Sequence, residues 1–110
     1  MSKRAFLGDF EQMVLLAILQ QRDTAFGLEV RREIEESTGK DVSRGAFYTT
    51  VDRLQRKGFA SWEEAPPGGR RGGAPQRLFR VTDAGIEALR ASRQALETLS
   101  RNLDELRKDS

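Results

Sequence analysis

Cysteine and histidine are both absent from this chain of 110 residues. Without cysteine there is no disulfide framework and no thiolate ligand for zinc or an iron–sulfur cluster. Without histidine the commonest general base, the commonest metal ligand and the usual switch between pH 5 and 8 are also missing. Aromatic residues are scarce at 7%, with a single Trp and a single Tyr. The core must therefore be small and aliphatic. The longest apolar run is Met13 to Leu19, far short of the roughly 20 residues that cross a bilayer. The N-terminal MSKRAF opens with two cations, but no small-residue cleavage site follows the apolar run. These features point to a soluble, unprocessed chain of a reducing compartment. An enzyme is the poorer reading, and neither a metal nor a cofactor is expected. Only Asp, Glu, Lys and Tyr remain as acid–base groups, and no paired-carboxylate arrangement is visible.

What the chain does contain is helical periodicity. Asp9 is a plausible N-cap, followed by Phe10, Met13, Leu16 and Ala17 on one stripe. Val14, Leu15, Ile18 and Leu19 widen that stripe until the helix is apolar nearly all round, so it needs more than one neighbour. A second helix reads from about Gly27 to Thr38, with Phe26, Val30 and Ile34 inward and Arg31–Glu35 as an i,i+4 pair. Gly39 is placed to end it in the left-handed conformation. A third begins at Ser43 as N-cap and ends before Gly58; Phe47, Val51 and Leu54 share its buried face.

Two strand-like segments follow, Phe59–Glu63 and Gln76–Val81. Between them, residues 65–75 hold all three prolines and four of the ten glycines, a composition that allows only a loop. Thr82 then caps a last helix running toward Lys108. Its Leu89, Leu96, Leu99, Leu103 and Leu106 form an a/d seam interrupted only by Ser92. The order α-α-α-β-loop-β-α predicts a mostly α fold with a small two-stranded antiparallel sheet: a winged helix-turn-helix plus a long C-terminal helix. Residues 1–81 form the winged unit, with its wing at 65–75, and 82–110 the pairing helix of the same compact unit. The seam exceeds what one small core covers, so it is expected to bury against a second copy together with Phe10, Met13 and Val14. Folding back on the first helix of the same chain is the alternative.

Charge is unevenly spread. Residues 40–81 carry nine cations against four acids, +5, while the remainder carries ten against thirteen, −3. Basic charge thus gathers on the third helix and the loop, the parts of a winged helix that face a duplex, where phosphate neutralisation drives binding. Opposite the buried face of the third helix lie Gly45, Thr49, Asp52, Arg53 and Arg56. Gly45 allows close backbone approach. Arg44 can reach a phosphate or a guanine edge, and Thr49 a thymine methyl. Ser43 either only caps or also holds a phosphate beside the free helix N–H groups. Asp52 is expected to pair with Arg56. Tyr48 either packs on the second helix or touches DNA. Arg53, Arg56 and Lys57, with Arg70, Arg71 and Arg77, complete the candidate phosphate-binding set. The Gly-rich loop lacks the order of a nucleotide-binding loop, and Trp62 is read as a packing residue.

The segments LGDFEQMVLLAIL (7–19), FGLEVRREIEESTG (26–39), VSRGAFYTTVDRLQRKGFAS (42–61) and FRVTDAGIEAL (79–89) resemble the PadR family of bacterial transcriptional regulators, particularly short members with one C-terminal helix. The resemblance implies a cytoplasmic, nucleoid-associated homodimer. It further implies a repressor that binds a palindromic operator with one recognition helix per half-site. DNA contacts would fall on Ser43, Arg44, Gly45, Tyr48, Thr49 and the wing, and pairing on the first and last helices. Some family members bind a small hydrophobic effector at the dimer interface. Gln76 and Leu78 depart from the cation and tyrosine common there. The competing reading is a winged-helix protein-interaction module without specific DNA binding.

Overall fold

The computed structural model describes residues 6–65 and 76–108. Helices α1 (Asp9–Gln21), α2 (Gly27–Thr38) and α3 (Arg44–Arg56) precede a hairpin of β1 (Ala60–Ala65) and β2 (Gln76–Val81), then α4 (Asp83–Ser100) and α5 (Leu103–Lys108). The hairpin is antiparallel and in plain register, with Ala60 opposite Val81, Trp62 opposite Phe79 and Glu64 opposite Arg77. A bridge from Phe26 to Leu78 and the Phe79 N–H donated to the Ala25 carbonyl (2.9 Å) tie β2 to the α1–α2 connection. That ties the winged-helix layout together: three helices packed on one face of a two-stranded sheet.

The core is assembled from the faces that periodicity marks. Phe47, Phe79, Leu15, Leu54, Val14, Val30 and Val51 are all fully buried, each side chain of this size stabilising the fold by about 1.5–3 kcal/mol. Phe47 and Phe79 meet edge to face at 5.7 Å, the arrangement that sets a positive ring edge against a negative face. Of the adjacent pair in β2, Phe79 turns inward and Leu78 stays half-buried beside Phe26.

Local punctuation holds the elements in place. The Ser43 hydroxyl accepts from the Ala46 N–H at 3.0 Å, and Gly39 (φ 73°) and Gly58 (φ 82°) take left-handed positions after α2 and α3. Thr82 caps α4 by accepting from the Gly85 N–H (3.0 Å) while donating to the Gly58 carbonyl (2.6 Å). At Gly85 a Cβ would collide with the Phe59 carbonyl, so only glycine lets α4 sit this close to the end of α3.

Four expectations are corrected. The α1 N-cap is Gly8, not Asp9: Glu11 reaches back to accept the Gly8 N–H at 2.9 Å, and Asp9 stands in the first turn. Strand β1 starts at Ala60 and runs to Ala65, because Phe59 donates its N–H to Leu54 and accepts from Thr82 instead of joining the ladder. The last helix is two helices. Arg101 is extended and Asn102 left-handed at φ 60°, a conformation that asparagine tolerates better than most residues. The Arg31–Glu35 pair does not form, because Glu35 Oε2 accepts the Val42 N–H at 2.7 Å.

The leucine seam divides in two. Leu89 (4% exposed) and Val14 (0%) belong to the subunit's own core and are not available to a second copy. This corrects both as pairing residues. Leu96 (53%), Leu99 (75%), Leu103 (63%) and Leu106 (52%) lie open, as does Met13 in part, while Phe10 packs against the core. Ser92, at the interruption, is buried and accepts the Leu7 N–H at 2.9 Å, anchoring the segment before α1.

Candidate nucleic-acid interface

The wheel of α3 resolves as its period demands. Phe47, Val51 and Leu54 point into the core, while Arg44, Gly45, Thr49, Asp52, Arg53 and Arg56 are exposed. Nothing lies within 4 Å of where a Gly45 Cβ would stand, so this end of the helix is open to close approach. Ser43 acts as the cap. Asp52 and Arg56 form no ion pair, and Arg56 has none among the described residues.

Tyr48 packs as one of its two sequence readings expects, and its outer surface is taken up by cations. It packs edge to face on Phe47 (5.1 Å) and lies tilted against Phe79, with its hydroxyl over Gly27 at the start of α2. Its remaining surface carries two guanidiniums, Arg44 at 5.2 Å and Arg77 at 5.8 Å from the ring centre. Arg77 also stacks on Trp62 at 4.4 Å, and the Trp62 indole N–H donates to Gln55 Oε1 at 3.1 Å. Trp62 is thus a packing residue, and one that positions a cation. Such stacking leaves the guanidinium donors free to meet an acceptor.

Arg53 and Lys57 are placed differently from their neighbours. Both turn toward α1 and Glu11, whose carboxylate is buried: Lys57 Nζ donates to Oε2 at 2.9 Å, and Arg53 stands at 3.8 Å. Burial alone would push the Glu11 carboxyl up; the Gly8 N–H, Lys57 and Arg53 outweigh it and hold the carboxyl below its ordinary range. Lys57 and Arg53 thus share an ion-pair partner on α1 that Arg56 lacks among the described residues. Arg70 and Arg71, the wing cations, lie outside the described residues.

Between the starts of α2, α3 and β2 lies a groove of about 910 Å³, lined among others by Arg31, Arg44, Tyr48, Asp52 and Arg77. The sequence marks Gly27 only as a helix start and Arg31 only as a partner for Glu35, with no site role for either. Gly27 falls within the 26–39 segment that carries the family resemblance, whereas Arg31 sits in a run of charged residues that marks no site.

The family model of the PadR-like transcriptional regulators matches residues 15–91. The chain belongs to the PadR-like family. PadR-like proteins are transcriptional regulators, not enzymes, and DNA binding through a winged helix is what membership implies. The transcriptional regulator Rv3488 of Mycobacterium tuberculosis is 38% identical over 65 residues, 59% of this chain and 57% of that protein. The chain thus matches little more than half of that relative's length. Among solved structures, a PadR-like transcription factor from Bacteroides fragilis superposes with a TM-score of 0.72 at 18% identity, covering 88% of each chain. A PadR-like transcriptional regulator from Bacillus cereus gives 0.72 at 22% identity, covering 88% of this chain and 89% of that one. At those identities the likeness establishes the PadR winged-helix fold. Among the described residues no helix is long and apolar enough to span a membrane.

Proposed function

We propose that this PadR-like regulator binds duplex DNA sequence-specifically as a homodimer, one α3 per half-site of an inverted repeat, and represses by occupying its site. The reading is carried by one observation: the outward face of α3 is open and lies beside Arg44 and Arg77, two guanidiniums stacked on Tyr48 with no acid paired to either among the described residues. Thr49 and Arg44 are the base-reading candidates, Gly45 gives the backbone room, and Arg56 with the wing arginines Arg70 and Arg71 serves phosphates. Leu96, Leu99, Leu103 and Leu106, joined by Met13, support pairing as a dimer, because leucines this exposed have no cover among the described residues. A small hydrophobic effector would find its apolar surface at the same seam. The site of action is the nucleoid of the cytoplasm.

Selection of bound sequences from a random duplex pool tests this directly. The expected product is an inverted repeat whose half-sites lie one helical turn apart, about 10 base pairs centre to centre. A pool that stays random after repeated selection would refute sequence-specific binding, and a single unrepeated motif would refute the two-fold arrangement.

A further inference from the structure

We propose that the groove between α2, α3 and β2 seats one backbone phosphodiester of the bound duplex, with Arg31 of α2 as its innermost ligand. The proposal rests on the DNA-binding reading above and adds a residue and a role to it.

Three observations converge. Arg31, Arg44 and Arg77 line one groove, with Asp52 as the acid among its lining residues, and none of the three arginines has an ion pair among the described residues. Like charges gathered this way repel one another until an anion enters. The Nε of Arg31 is buried without a hydrogen-bond partner among the described residues, and a buried donor is nearly always satisfied by protein, water or a ligand. Glu35, one turn along the same helix, is held by the Val42 N–H and is not turned to Arg31. Finally, Arg44 and Arg77 are held by the Tyr48 ring and, for Arg77, by Trp62 as well. Their planes are thereby set in place before any ligand arrives.

The chemistry that fits is a phosphate. A guanidinium presents parallel N–H donors that match two oxygens of one phosphate. The first turn of α3 adds its positive end at the same mouth. A phosphodiester is favoured over a free anion because the groove opens beside the exposed face of α3, along which the backbone of a duplex would run. Seated there, the phosphate fixes how deeply α3 enters the major groove while reading no base. Arg31 is thus a positioning contact and not a specificity contact.

The test compares wild type, Arg31→Met and Thr49→Ala on a duplex from the selected repeat and on a random duplex, by fluorescence anisotropy across a salt series. Arg31→Met is expected to weaken both duplexes alike by about tenfold. It should also make the slope of log K against log salt shallower by about one per protomer. Its melting temperature should equal or exceed that of wild type, since the change removes a buried, unpartnered donor. Thr49→Ala should lose only the preference between duplexes. Unchanged affinity and slope in Arg31→Met, with Thr49→Ala still relaxing specificity, would overturn the phosphate seat and leave the DNA-binding reading standing. Wild type that binds neither duplex would overturn both. A thermal shift by inorganic phosphate at constant ionic strength, abolished by Arg31→Met, would reassign the groove to a free anion and also overturn the proposal.

Discussion

Replacing Glu11 with Gln isolates the ion pair that joins α1 to the end of α3. The amide keeps the size of the carboxylate and an oxygen for the Gly8 N–H, so the cap survives. What is lost is the charge facing Lys57 at 2.9 Å and Arg53 at 3.8 Å. Glu11 is buried, but the side chains of Lys57 and Arg53 are 42% and 46% exposed. Water can therefore solvate the orphaned cations, and the loss falls below the 3–5 kcal/mol typical of a fully buried pair, at about 1–2 kcal/mol. For a domain near this size each kcal/mol moves the melting temperature by about 4–8 °C. The sign with pH follows from the Glu11 carboxyl lying below its ordinary value. Its contribution is complete above the unfolded value of about 4.3 and is lost as pH falls through the lower folded value. Calorimetry of both proteins from neutral to acid pH should give a wild-type advantage at neutrality that closes below pH of about 4. Equal melting temperatures at neutral pH, or a gap that persists unchanged into acid, would refute the assignment.

Three further outcomes are expected. Gly85→Ala drives a methyl into the Phe59 carbonyl, which is backbone and cannot turn aside, so it should destabilise the fold by about 1–3 kcal/mol in thermal melts; an unchanged melt would contradict the packing of α4. Gly27→Ala displaces the Tyr48 hydroxyl, and with it the platform under Arg44 and Arg77; binding of a duplex should weaken severalfold with little change in melting, and full affinity would remove Tyr48 from the interface. Leu99→Asp places a charge at the most exposed leucine of the seam and should weaken self-association by roughly a hundredfold, read by light scattering; a dimer of unchanged strength would place pairing elsewhere.

The parts of the fold legible in the sequence are those that depend on neighbours in the chain. Ser43, Gly39, Gly58 and Thr82 announce helix ends because caps and left-handed turns are chemistry within a few residues. The inward face of α3 is legible because Phe47, Val51 and Leu54 keep the helical period. Contacts across the chain are not. Nothing near Glu11 signals that Lys57, 46 positions away, will neutralise it. Periodicity marks Val14 and Leu89 as apolar but cannot say whether a second subunit or the chain itself buries them. Arg31 looks like its charged neighbours until Glu35 is seen bonded elsewhere. The break at Arg101–Asn102 escapes notice because the leucine spacing continues through it.

The most direct test of the central claim is an anisotropy titration of the wild-type protein on its own upstream region against a shuffled duplex of equal composition, at salt near the physiological level. The account predicts that the native duplex binds about a thousandfold tighter or more. It also predicts that Arg44→Ala with Thr49→Ala erases most of that difference. Equal affinity for the two duplexes would contradict it.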